Sequence, residues 1–246
     1  MTPDELLKTA TAMPLASPGY APSGTRFTDR ETFQIHYRTE RKAVERWVPE
    51  PLKVVDPIVR FEVVKMGSAS GCGIFHESGQ MIEVELDGVR GNLVHMLFLN
   101  SEAAILAGRE VFGFPKKFGN PMLEVDGDAL LGTLDVGKVR VATATMGYKY
   151  ETSDSDQVLS ETEETKTFLL KMLPHVDASL RVCELVQCST VNVVMKGAWT
   201  GPGDVDFTPH ALAPLTALPV VEVIKATHTI MDMSYGGAKV VHDYLA

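Results

Sequence analysis

No stretch of the sequence reaches the ~18 uninterrupted apolar residues of a membrane-spanning helix. The N-terminus, Met1-Thr2-Pro3-Asp4-Glu5, has neither the basic start nor the apolar run of a secretory signal. A soluble, cytoplasmic protein is therefore expected, with no membrane partner. Cysteine is scarce. Cys72, Cys183 and Cys188 are odd in number and form no CxxC pattern, which argues against a disulfide framework and a structural zinc site. The seven histidines include no HxxxH or HExxH spacing, so no metal centre is expected. Basic excess is also missing. The formal net charge is −9, and the only adjacent lysine pair is Lys116-Lys117, which is too short for a nucleic-acid-binding stripe. Gly71-x-Gly73 is too little for a nucleotide loop, because no convincing helix follows it. The negative balance has one more consequence: it repels anions at long range, so a carboxylate substrate would need local cations.

What is present is ordinary globular material, 45% hydrophobic and 22% charged over 246 residues. No repeat, low-complexity tract or long linker divides it, and one domain spanning 1–246 is expected. Residues 11–25, rich in Pro, Ser, Gly and Ala, read as an ordered arm or loop. Thr2-Pro3 starts a short helix. Thr39 opens a second through Trp47, and Ser101 or Asn100 caps a third over Glu102–Val111. Strand signals dominate elsewhere. Phe33, Ile35 and Tyr37 alternate with Gln34, His36 and Arg38. Residues 80–86 and 89–99 flank the hairpin signal Asp87-Gly88. Val139–Met146, 182–196 and 219–231 complete the set. Residues 151–157 read as a polar turn, and the charged stretch to Lys166 as an exposed excursion. No βαβ rhythm appears. The expected fold is α+β and β-rich, a curved or closed antiparallel sheet with a few short helices.

The most chemically suggestive stretch is 110–119, EVFGFPKKFG. Its two lysines sit among Phe112, Phe114 and Phe118, where a surface pair would have polar neighbours. An exposed turn anchored by its aromatics is one reading, and an activated amine is the other. Attack on a ketone needs a neutral amine, and an ordinary lysine with a pKa of ~10.4 supplies about 0.04% of it at pH 7. Burial among aromatics and a nearby second cation both raise that fraction.

The segment Gly108-Arg109-Glu110 followed by Pro115-Lys116-Lys117 resembles the active-site segment of the acetoacetate decarboxylase family. Similar in the same way are Asp29-Arg30-Glu31, Tyr37-Arg38-Thr39, Val59-Arg60-Phe61-Glu62 and Glu77-Ser78-Gly79-Gln80. So are the runs 48–52, 140–149, Cys183-Glu184-Leu185 and 198–202, from about residue 10 to the C-terminus. The resemblance implies that Lys116 forms a Schiff base, with Lys117 its neighbour and Arg30, Glu62 and Glu77 lining or supporting the site. It also implies decarboxylation of acetoacetate, a small β-keto acid, to acetone and CO2. The family needs no metal or organic cofactor and forms large homo-oligomers. Phe114 and Leu97 are expected in the substrate pocket. A further pocket phenylalanine, looked for at position 28, has no assigned counterpart, and the residue at that position is Thr28. The chain has Phe114 where some members carry a tyrosine, so substrate preference is open at that point. A Schiff-base aldolase or dehydratase acting on another keto acid is the alternative chemistry.

Activation of such a lysine by a neighbouring cation is an established idea for this family. Here Lys117 is a weak candidate. In extended chain its side chain leaves on the opposite face from Lys116. Desolvation by Phe112, Phe114, Phe118 and Leu97 is the expected cause. Glu77 is the candidate for proton transfer. Arg30 is expected to orient Glu77 or Glu62, because a tight clamp on a carboxylate that leaves as CO2 favours the ground state.

Overall fold

A computed structural model describes residues 1–21 and 26–246, so the end of the 11–25 arm lies outside the described residues. The elements in chain order are α1 (Pro3–Thr9), β1 (Arg26–Arg38), α2 (Arg41–Glu45), β2 (Ile58–Ala69), β3 (Gly73–Leu86), β4 (Val89–Leu99), α3 (Glu102–Ala107), β5 (Lys116–Phe118), β6 (Asn120–Asp126), β7 (Ala129–Val136), β8 (Val139–Gly147), β9 (Glu151–Thr152), α4 (Ser155–Glu164), β10 (Lys166–Pro174), β11 (Leu180–Gly201), β12 (Gly203–Phe207) and β13 (Glu222–Asp243).

Seven strands close into a ring in the order β10-β11-β13-β1-β2-β3-β4, with β4 pairing back to β10. The expected antiparallel sheet holds around six of its joints. The seventh differs: β4 and β10 pair in parallel at Gly91–Leu93. Further along the same edge, β5 pairs in parallel with Leu97–Leu99. One edge of β4 thus both closes the barrel and seats Lys116. A second, four-stranded sheet, β12-β8-β7-β6, is antiparallel throughout.

The alternation in β1 has an unusual outcome. Phe33, Ile35 and Tyr37 do not point into the barrel; they join Phe61 and Val63 of β2 in the core shared with Leu130, Leu134 and Ala142 of the second sheet. Gly132 shows how close that packing is, since a Cβ there would lie 2.8 Å from Val63 and 3.0 Å from Phe33. The intervening residues Arg30, Thr32, Gln34 and His36 face the barrel lumen. The polar face of β1 therefore lines a cavity, where a simple half-buried strand would face bulk water.

The Asp87-Gly88 hairpin forms, with both residues at positive φ (50° and 82°), the backbone a two-residue turn requires. Thr2 caps α1 through a capping box with Glu5. Three helical expectations are corrected. α2 runs only from Arg41 to Glu45, its N-cap is Glu40 and not Thr39, and among the described residues no side chain caps it. α3 stops as an α-helix at Ala107 and continues as a π-helical turn, Gly108–Phe112. The polar 151–157 turn gives way to α4, since Asp154 accepts from the backbone N–H groups of Asp156 and Gln157.

Candidate active site

The site begins with the π-helical turn. Gly113 at φ 89° ends it, and a Cβ there would strike Lys171 at 2.4 Å. The reversal brings Phe114 inward, and Lys116 follows on β5 opposite Leu97. Arg109 ties the segment down by donating to the Lys116 carbonyl at 3.0 Å. Gly108 leaves room for the lysine itself: a Cβ there would lie 2.6 Å from Lys116 Cδ and 2.9 Å from Cε.

Lys116 Nζ lies 3.0 Å from Glu77 Oε2, and both side chains are largely buried, at 11% and 5% exposure. The approach is close but lacks hydrogen-bond alignment, and that carboxylate oxygen has no hydrogen-bond partner among the described residues. The ammonium also sits 5.0 Å above the Phe114 ring. Lys117 goes the other way. Its side chain donates to the Leu212 carbonyl at 2.5 Å and lies over Phe98. The two lysines do not share a pocket.

Arg30 and Glu62 form a second buried pair at 3.9 Å, on neighbouring strands. Gln34 donates to Glu62 at 3.0 Å, and Arg30 donates to Thr32 Oγ1 at 2.5 Å. Burial pushes the Glu62 carboxyl upward, and the nearby Glu77 charge adds to this while Arg30 opposes it.

These groups border a cavity of about 700 Å³ inside the barrel. Arg30, Glu62, Glu77, Leu97 and Phe114 line it. Lys116 is not itself part of the lining; its amine lies against two residues that are, Glu77 and Phe114. A bulge at His95 keeps Val94 and Leu97 both facing inward. Phe112 contacts Phe114 and Tyr235 at the apolar edge of the site.

Two pocket expectations are corrected. Phe118 is 66% exposed and unable to desolvate the lysine. Position 28 supplies no phenylalanine to the pocket: Thr28 pairs with Ser68 on β2 and does not line the cavity. The pairing of β1 with β13 slips between Phe27 and Arg30, where Asp29 sits at φ 51°. This bulge breaks the inward alternation that would have carried residue 28 into the lumen. The neighbouring aromatic takes the buried place instead. Phe27 packs edge-on to Tyr235 at 5.7 Å, in a cluster with Met66 and Met233.

Sequence reasoning missed Tyr235. Its ring packs 5.4 Å from Phe114, its hydroxyl pKa is raised chiefly by burial, and it lines the cavity. The signal was present: Met233 and Tyr235 continue, beyond residue 231, the alternation of Thr227, Thr229 and Met231.

Comparison with known proteins decides the family. The acetoacetate decarboxylase (ADC) family model matches residues 12–245. The chain belongs to the acetoacetate decarboxylase family. It is 52% identical to the acetoacetate decarboxylase of Acidiphilium cryptum (strain JF-5) over 239 residues, covering 97% of each chain. It superposes on a solved acetoacetate decarboxylase structure with a TM-score of 0.96 at 43% identity, covering 100% of both chains. A second such structure, from Legionella pneumophila, gives 0.92 at 37% identity over 98% and 97% of the two chains. The Lys116–Glu77 and Arg30–Glu62 pairs are neighbours, with the Glu77 charge acting on Glu62, and Arg30, Glu62 and Glu77 line the barrel cavity.

Proposed function

We propose that this chain decarboxylates acetoacetate to acetone and CO2, with Lys116 as the Schiff-base nucleophile. The observation that carries the assignment to Lys116 is its buried amine, 3.0 Å from a buried carboxylate at a barrel cavity. The family relatives support the substrate class.

The neutral amine of Lys116 attacks the ketone carbon, and the carbonyl oxygen takes up a proton to give a carbinolamine. Glu77 accepts the proton shed by the amine and returns one to the hydroxyl, which leaves as water. The resulting iminium is the electron sink. The bond to the carboxylate breaks, its electron pair forms the enamine C=C, and the iminium nitrogen becomes neutral as CO2 departs. A proton then adds to carbon, and water hydrolyses the acetone iminium to free Lys116.

Arg30 acts as a positioning residue for Glu62, through the pair at 3.9 Å and its bond to Thr32. A clamp on the substrate carboxylate would stabilise a charge that the reaction destroys. Phe114, Leu97 and Phe112 supply the apolar wall. The assignment needs neither a metal nor an organic cofactor, since the iminium draws the electron pair. All 246 residues act as one unit, supported by a core that contains residues of both sheets. The chain acts in the cytoplasm as a homo-oligomer. Exposed apolar side chains such as Ile74, Val176 and Leu212 support assembly. No helix of the described residues is long and apolar enough to cross a membrane.

The test is covalent capture. Borohydride reduction with acetone or acetoacetate present should leave an alkyl adduct on Lys116, located by peptide mass mapping. An adduct confined to another lysine would end the assignment.

A further inference from the structure

Lys225, His36 and Arg60 stand side by side across three adjacent strands. His36 of β1 pairs with Lys225 of β13 on one side and with Arg60 of β2 on the other. All three line the barrel cavity. A rung of basic residues in direct cross-strand register is destabilising in itself, because like charges opposite one another repel. At His36 burial holds the pKa well down, and the charges of Arg60 and Lys225 lower it further. Among the described residues, Arg60 alone of the three has an acidic partner, Glu83, at 2.9 Å. Lys225 has no ion pair among the described residues, and the buried His36 ring makes no protein hydrogen bond there.

The position of the rung matters as much as its composition. Along β1 the inward residues run Arg30, Thr32, Gln34, His36, so the rung lies six residues from Arg30, or roughly 20 Å of strand. Beyond it the cavity is bordered by Asp56, Arg90 and the α4 residues Glu161 and Glu164. Three carboxylates and one guanidinium thus border the cavity on that side, in a chain whose net charge is already −9. Along β13 the lining changes from Lys225 through Thr227 and Thr229 to Met231, Met233 and Tyr235, from cationic to apolar.

We propose that the Lys225–His36–Arg60 rung is an anion-capture subsite that receives the carboxylate of a small monocarboxylate on its way to Lys116. This rests on the decarboxylase reading above. Lys225 supplies the free charge, neutral His36 donates one ring N–H, and Arg60 turns its remaining N–H groups toward the ligand. The site sits apart from the reacting atoms. It can therefore attract the anion without stabilising the carboxylate at the point where CO2 must leave, which resolves the conflict that a clamp by Arg30 would create.

The experiment compares an anionic with a neutral ligand for the same lysine. Lys225→Met, Lys225→Arg and His36→Gln are assayed for kcat/KM on acetoacetate at low and high salt. Each is also assayed for the rate of borohydride trapping by acetone, which has no carboxylate. Butanoate serves as an unreactive carboxylate, with its inhibition constant measured in parallel. Lys225→Met should lower kcat/KM for acetoacetate by about 10-fold at low salt, the lower range of electrostatic steering. Butanoate inhibition should weaken in step, Lys225→Arg should restore both, and high salt should narrow the gap. Acetone trapping should change by less than about twofold, because acetone carries no charge for the rung to attract. Equal loss with acetone and acetoacetate would overturn the proposal, since it would mean general damage to the pocket. No loss with either would overturn it as well. If acetone is not trapped at Lys116 in the unaltered protein, the decarboxylase reading itself fails, and that outcome is separately recognisable.

Discussion

The position of Lys116 depends on one atom that is missing nearby. Gly108 leaves open the space through which the lysine stem runs, and a methyl group there would overlap Cδ at 2.6 Å. The colliding atoms belong to a flexible side chain, so Gly108→Ala should fold. The lysine should give way, moving its amine away from Glu77. A displacement of about 1 Å at a reacting group can cost on the order of 100-fold. Gly108→Ala should therefore lose roughly 10- to 100-fold in acetone trapping at Lys116 while its thermal midpoint changes little. Trapping at the unaltered rate would show that Gly108 plays no part in placing the amine. Residue identity was the most legible level of the sequence. Lys116, Glu77, Glu62 and Arg30 could all be singled out there, because the motif resemblance names them individually. Geometry was not legible at this level. Phe118, two residues from Lys116 and on the same strand parity, turns outward at 66% exposure, whereas Phe114 turns in after the Gly113 reversal. The bulge at Asp29, which buries Phe27 and leaves Thr28 off the cavity, was equally silent in the residue order.

At the scale of elements, β5 settles how the two lysines divide. Three residues of extended chain send Lys116 toward Glu77 and Lys117 toward the Leu212 carbonyl. If the cation at 117 governed activation, Lys117→Met would shift the acid limb of kcat/KM by several pH units. With Lys117 engaged on the far face of the strand, the shift should stay under about one unit, or ~1.4 kcal/mol. Phe114→Ser, which admits water beside the ammonium, should move the limb more. The pH–rate profile of each variant on acetoacetate is the measurement. A three-unit shift for Lys117→Met in an intact fold would refute the desolvation account. Six of the thirteen strands of the described residues were readable from alternation, β-branched runs or a hairpin signal, β4 down to its bounds. α4 was not: its residues are all at least partly exposed, its sequence is polar, and only the Asp154 cap marks its start. The parallel closure of β4 on β10 was equally hidden, because strand pairing across about 75 residues leaves no local signal.

Across the whole molecule, buried titrating groups give stability a pH dependence with two opposing parts. Burial holds the His95 ring down to about 4, and His36 is also held well below the ordinary histidine range. Both are neutral in the fold and take up protons more readily when unfolded. Their contribution is thus fully present above about pH 6.5 and is lost as pH falls toward the folded value. Glu62 has the opposite sign. Its folded carboxyl is raised, so its contribution is present in acid and is lost as pH rises through that raised value. His95 lies away from the reacting groups, against Trp47, so replacing it isolates the first part. Between pH 7 and pH 4.5, His95→Gln should lose roughly 2–3 kcal/mol less stability than the unaltered protein, by linkage from 6.5 to about 4. Glu62→Gln should instead gain on the unaltered protein as pH rises from 5 to 8, even as it loses activity. Urea midpoints across pH for the three proteins supply the measurement. Because the two substitutions act at opposite ends of the range, a general weakening of the fold cannot imitate both. A His95→Gln curve parallel to that of the unaltered protein would mean that His95 takes up its proton in the fold as easily as in the unfolded chain, and the desolvation argument for it would fail.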